Sequence, residues 1–103
     1  MLKTIEKLAK TVKGSKKNRD IILLTLSTCM WCKKCKTWLE ENDIQYRYVD
    51  VDKIKPIEKL QIIEYLKYTY QNRVSYPYMI CDNEVVVGYN PSKYEELTKS
   101  GGN

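Results

Sequence analysis

The chain contains no histidine and no phenylalanine. Without histidine there is no Ser–His or Cys–His nucleophile pair and no His-ligated zinc site. Any nucleophile must be activated in another way. Long apolar runs are also missing. The longest, residues 21–26, is already interrupted by Thr25 and falls far short of the ~20 residues a helix needs to cross a bilayer. It is too short for a signal-peptide core, and no small-residue cleavage site follows it. The expectation is a cytoplasmic protein with no membrane partner. In that compartment thiols stay reduced, so the four cysteines read as catalytic or metal-binding before structural.

What is present is ordinary for a globular chain: 103 residues, 43% apolar and 30% charged, which suits one domain with a modest core. Aromatic packing falls to nine tyrosines and two tryptophans. The net charge of +5 is concentrated in residues 1–19, where Lys3, Lys7, Lys10, Lys13, Lys16, Lys17 and Arg19 face only Glu6. Such an arm reads first as a solvated lysine-rich face. The sharper alternative is attraction to an acidic partner, an anionic lipid surface or nucleic acid, of which nucleic acid is not favoured.

The hydrophobic pattern predicts eight elements. Leu2, Ile5, Leu8 and Val12 share one stripe, so residues 2–13 read as a helix ended by Gly14-Ser15. Residues 21–26 read as a buried strand. Residues 30–41 read as a helix with Trp31, Cys35, Trp38 and Leu39 on its apolar face. Residues 45–49 alternate as a second strand. Pro56 suits the first turn of another helix, with Ile57, Leu60, Ile63, Leu66 and Tyr70 inward. Residues 78–80 and 84–87 form two strands across the Asp82-Asn83 turn. Asn90 caps a last helix from Pro91, with Tyr94 and Leu97 inward. The tail from Ser100 to Asn103 is expected to fray. This order implies a parallel strand–helix–strand unit followed by an antiparallel hairpin, a mixed sheet with helices on both faces.

The informative segment is Thr28-Cys29-Met30-Trp31-Cys32-Lys33-Lys34-Cys35. A Cys-x-x-Cys at a strand-to-helix junction is a redox arrangement. Cys29 sits at the helix N-terminus beside unpaired backbone N–H groups, and Cys32 follows one turn later. Raising the acidity constant of an ordinary cysteine about a hundredfold takes about 2.7 kcal/mol. A helix dipole contributes about 0.3–1 kcal/mol, or about 2 in favourable geometry. Backbone hydrogen bonds and the Cys32 thiol must therefore contribute too. A rival reading is a zinc or iron–sulfur module held by Cys29, Cys32, Cys35 and Cys81. Against it, Cys32 and Cys35 fall inside an amphipathic helix rather than a ligand-wrapping loop. Cys35 reads as a core thiol with a second-stage redox role as the sharper option, and Cys81 reads as structural. A third class is a basic interaction protein with a vestigial dithiol.

The run from Leu24 to Asp52, with its Cys-Met-Trp-Cys and its Tyr-Arg-Tyr-Val-Asp-Val-Asp, resembles the glutaredoxins and glutaredoxin-like redoxins. Ser75-Tyr76-Pro77 is similar to their Thr-Val-Pro segment, and Val86-Val87-Gly88-Tyr89 to their C-terminal hairpin. The resemblance implies a thioredoxin-like α/β fold: a four-stranded mixed sheet flanked by helices, with an extra N-terminal helix. It divides the chain into a basic helical extension (1–19), a redoxin domain (20–99) and a flexible tail (100–103). It also implies a cis bond before Pro77 and a thiol–disulfide oxidoreductase with Cys29 and Cys32 as catalytic residues. Met30, Trp31, Tyr76, Pro77, Gly88 and Tyr89 would form the substrate-binding surface. The Tyr76 main chain would pair with an extended substrate segment, and Gly88 would allow close approach. The expected partners are disulfide-bearing proteins and a reductase, with the chain itself a monomer and no bound cofactor.

Departures from the family pattern bear on the groove and on the reductant. Met30 replaces the usual proline, Tyr76 is bulkier than the usual valine, and Leu26-Ser27-Thr28 lack the basic residue of glutathione-dependent members. Tyr89-Asn90-Pro91 stands where a Gly-Ser-Asp type sequence would hold glutathione's carboxylate. The missing basic residue and the Gly88-Tyr89-Asn90 pattern argue against glutathione and toward a flavin- or iron–sulfur-dependent reductase, while the bulk of Tyr76 narrows the groove.

Overall fold

The computed structural model describes residues 1–100, Ser100 by its backbone alone. The elements are α1 (Lys3–Leu8), β1 (Lys10–Val12), β2 (Ile21–Thr25), α2 (Met30–Glu41), β3 (Tyr46–Asp50), a single 3-10 turn (Val51–Lys53), α3 (Pro56–Tyr70), β4 (Tyr78–Cys81), β5 (Glu84–Val87) and α4 (Pro91–Ser100). The strands form one mixed sheet in the order β1-β3-β2-β4-β5. β2 and β3 run parallel, and every other pair is antiparallel. The crossover through α2 supplies the parallel pair, and the Asp82 turn, with φ of 55°, closes the β4–β5 hairpin.

The mixed sheet and flanking helices expected from the resemblance are present, with five strands rather than four. The added strand lies in the segment read as helix over residues 2–13. The helix stops after Leu8, and Lys10–Val12 pairs antiparallel with β3, Lys10 opposite Tyr48 and Val12 opposite Tyr46. Periodicity misled here because Ile5 and Leu8 pack from α1 on one face of the sheet while Val12 packs from a strand on the other. Gly14 does not terminate that helix. Its backbone runs against residues 43–45, where a Cβ would meet Gln45 N at 2.6 Å and the Ile44 carbonyl carbon at 2.7 Å. Lys16 then exchanges backbone hydrogen bonds with Asp43 and Gln45.

Strand alternation splits the core in two. Ile21 and Leu23 of β2 face Cys35 and Leu39 of α2 and Tyr94 and Leu97 of α4. Ile22 and Leu24 face Ile5 of α1 and Ile62 and Leu66 of α3. The inward faces of two helices differ from expectation. In α2 the buried residues are Cys32, Cys35 and Leu39, while Trp38 is half-buried and Trp31 is exposed. In α3 the buried residues are Ile62 and Leu66, while Ile57 and Leu60 are 57% and 50% exposed. Apolar residues surround α3 on several sides, so periodicity alone does not choose its face. The tail expected to fray lies outside the described residues beyond Ser100. Among the described residues, no helix is long and apolar enough to cross a membrane.

Candidate functional site: a dithiol at the head of α2

The dithiol lies where β2 ends. The strand ends at Thr25, and a turn closes with the Cys29 N–H donating to the Leu26 carbonyl at 3.1 Å. Cys29 then caps α2 in an extended conformation, φ −84° and ψ 119°. Its sulfur accepts the Cys32 N–H at 3.2 Å, and its carbonyl accepts the first helical bond from Lys33 N–H at 3.1 Å. A sulfur thus occupies the place of a capping oxygen, where the helix N-terminus favours negative charge.

The two thiols have different surroundings. Cys29 is partly exposed, while Cys32 is 1% exposed. Burial pushes the Cys32 thiol up to about 12, reinforced by its hydrogen bond with Cys29, while a backbone hydrogen bond at Leu26 pulls the other way. All four cysteines are free. Cys35 is fully buried on the next turn, and burial raises its thiol to about 11 although the Tyr94 hydroxyl beside it works in the opposite direction. Cys81 is buried at the end of β4 and likewise raised to about 11 by burial. The four-thiolate metal site is not assembled. Cys81 belongs to the far end of β4, opposite Ile21 at the start of β2, whereas Cys29 follows the end of β2. Among the described residues, no group of three or more Cys, Asp or Glu side chains is placed to hold a metal ion.

Other expected site residues converge on the dithiol. Met30 and Trp31, between the cysteines, are 68% and 53% exposed. The Lys34 ammonium lies 4.7 Å from the Trp31 ring centroid, a cation–π contact, and the Tyr89 ring packs on Trp31 at 5.7 Å. Met30, Lys33, Lys34, Trp38 and Tyr89 contribute to a shallow depression of about 240 Å³. The Tyr76–Pro77 bond is cis. Burial raises the Tyr76 phenol, and the Cys32 sulfur acts on it as a second cause. The Gly88 N–H donates to the Pro77 carbonyl at 2.8 Å, joining the two segments. Gly88 has φ of 91°, with open space where a Cβ would stand. A larger cavity of about 320 Å³, bounded by Arg19, Ile21, Trp38, Ile44 and Lys99, is lined by none of the expected site residues.

Two supporting contacts were not foreseen. The loop before Cys29 is held by Asp52, whose carboxylate accepts the Ser27 N–H at 2.8 Å and the Ser27 hydroxyl. These bonds hold the Asp52 carboxyl below its usual range. At the same sheet edge buried Thr25 donates to Asp50 at 2.6 Å, and Lys36 pairs with Asp50 at 3.2 Å. Two polar residues at the ends of adjacent strands, Ser27 and Asp52, were the available signal.

The comparisons with known proteins agree with this geometry. The glutaredoxin family model matches residues 21–86. A glutaredoxin from Methanosarcina mazei superposes with a TM-score of 0.76 at 29% identity, covering 88% of this chain and 87% of that one. Methanoredoxin from Methanosarcina acetivorans superposes with a TM-score of 0.71 at 31% identity, covering 80% and 86%. A glutaredoxin-like 8.6 kDa protein in the rubredoxin operon of Clostridium pasteurianum is 27% identical over 78 residues, 75% of this chain and 95% of that protein. Family membership and the closely spaced Cys29 and Cys32 support a thiol–disulfide redox function. The chain belongs to the glutaredoxin family.

Proposed function

We propose that the protein is a cytoplasmic dithiol oxidoreductase that reduces disulfides in other proteins and is itself re-reduced by a reductase rather than by glutathione. The observation that carries this reading is the unequal pair at the head of α2. Cys29 is accessible and accepts a backbone N–H, while Cys32 is buried with its proton firmly held.

The Cys29 thiolate attacks one sulfur of the target disulfide. A mixed disulfide forms and the first target sulfur leaves as a thiolate, which takes up a proton. Cys32 then loses its proton and attacks the Cys29 sulfur. The second target thiol is released and the Cys29–Cys32 disulfide closes. Two electrons and two protons have passed from the dithiol to the target, and a reductase returns them. Low Cys32 acidity suits this order, because the resolving thiol stays protonated until the mixed disulfide has formed.

Met30, Trp31, Tyr76, Pro77, Gly88 and Tyr89 provide the docking surface. The Tyr76 main chain has no backbone hydrogen-bond partner among the described residues and is available to an extended segment. The Lys33 and Lys34 ammonium groups beside the apolar rim suit an acidic target segment.

Two features speak against glutathione. No basic side chain stands at Leu26, Ser27 or Thr28. The uncharged Asn90 uses its side-chain oxygen to cap α4, accepting from Lys93 N–H at 3.2 Å and the Ser92 hydroxyl at 3.0 Å. The test is insulin reduction with NADPH, supplied either with a flavin-dependent dithiol reductase or with glutathione and glutathione reductase. Wild type is expected to turn over with the first source and poorly with the second, and Cys29→Ser with neither. Equal or faster turnover with glutathione overturns the choice of reductant, and an active Cys29→Ser overturns the mechanism.

A further inference from the structure

Tyr94 is wholly buried on α4, yet it carries a hydroxyl that must find a partner there. That hydroxyl donates to the Gly88 carbonyl at 2.6 Å. The Gly88 N–H in turn donates to the Pro77 carbonyl at 2.8 Å. Gly88 is therefore tied on both sides, to the cis-proline segment and to the core. Its φ of 91° is open mainly to glycine, and these ties decide where the following residue goes.

That residue is Tyr89. Its ring packs edge-on against Tyr94 at 6.0 Å and against Trp31, between the two cysteines, at 5.7 Å. On its other side Tyr94 packs against Trp38 at 5.6 Å, and its hydroxyl also meets the buried Cys35 thiol. The Gly88 carbonyl acceptor sets the rotation of the Tyr94 O–H.

We propose that Tyr94 is a positioning residue for the substrate-facing wall, its hydroxyl setting the Gly88 carbonyl and so the seat of Tyr89 against Trp31. The proposal rests on the reading of Met30–Trp31 and Gly88–Tyr89 as the docking surface. Cys35, fully buried beside that hydroxyl, is part of the packing beneath the wall and not a third redox centre.

Tyr94→Phe keeps the ring and removes only the hydroxyl. With a disulfide-bearing acidic peptide as substrate, KM is expected to rise about fivefold, the scale of one lost hydrogen bond, with kcat nearly unchanged. In a Tyr89→Leu background the same change is expected to add almost nothing, because its route to the substrate is already gone. Independently of turnover, Trp31 is read by fluorescence in a Trp38→Phe background. Adding Tyr94→Phe is expected to increase acrylamide quenching of Trp31. A fall in kcat at constant KM, an additive effect with Tyr89→Leu, or unchanged quenching overturns the proposal. If wild type fails to reduce the peptide, the functional reading fails, and the Trp31 quenching still decides whether Tyr94 seats the wall.

Discussion

Burial separates the chemistry of two thiols only three residues apart. Cys29 caps a helix at the surface, while Cys32, one turn in, is pushed up to about 12 from an ordinary value of 9.0. Cys35 and Cys81 are pushed up to about 11 by the same cause. A thiol whose folded value is raised stabilises the fold fully below its unfolded value and loses that contribution as pH climbs through the folded one. Stability of the reduced protein is therefore expected to stay level from pH 6 to about 8 and then fall between pH 9.0 and about 12. The limiting slope is about 1.4 kcal/mol per pH unit for each thiol still held protonated. Urea midpoints across that range check this, and a level profile to pH 11 would contradict the buried, neutral thiols. The same burial makes Cys29 the thiol that iodoacetamide reaches first at neutral pH. Peptide mapping after partial alkylation is expected to find the label there, with Cys32, Cys35 and Cys81 protected until the chain unfolds.

Elements rather than single residues hold the dithiol in place. The loop between β2 and α2 is pinned by the Ser27–Asp52 pair, so Asp52→Ala is expected to slow disulfide reduction severalfold while leaving the urea midpoint almost unchanged. Stopped-flow reduction of a peptide disulfide reads the first and a denaturation curve the second. At the other end of the chain, α1 contributes Ile5, which is fully buried against Ile62 and Leu66 of α3. Ile5→Ala is expected to cost about 2–4 kcal/mol in a urea titration, whereas a loosely attached arm would show almost no loss. Gly14→Ala is expected to destabilise the protein by about 2 kcal/mol or more, because the added carbon would press into the backbone of residues 43–45. Legibility differed between these elements for physical reasons. α2 was readable to its limits because its cap, its apolar stripe and the Asn42-Asp43 break agree. The segment from Leu2 to Val12 was not, because a helix and an edge strand happen to place apolar residues at one spacing. The face of α3 was hidden by apolar residues on several sides, two of which, Ile57 and Leu60, face outward.

Across the whole molecule, the sheet carries the dithiol at the carboxyl edge of its parallel pair, β2 and β3, where α/β folds commonly place their sites. Cys29 and Cys32, the cis bond before Pro77, and the Gly88–Tyr89 turn come from three separate stretches of chain. The first was legible from spacing and junction alone. The other two became legible only through family likeness, since no local pattern announces a cis bond or a wall built by Tyr94 from beneath. The basic charge of the first residues is partly absorbed by the fold. Arg19 pairs with Asp82 at 2.7 Å and Lys7 with Glu58 at 3.7 Å, while Glu6, the acid of that segment, pairs with Arg47 at 2.7 Å. Around the dithiol Lys33 and Lys34 are exposed. The central claim is the order of events at the two thiols, and the most direct measurement is trapping of the mixed disulfide. Reduced Cys32→Ser protein is mixed with a labelled disulfide peptide, and the adduct is mapped by mass spectrometry. The account predicts one peptide per chain, attached to Cys29, and no adduct with Cys29→Ser. An adduct on Cys35 or Cys81, or one formed equally well by Cys29→Ser, would contradict it.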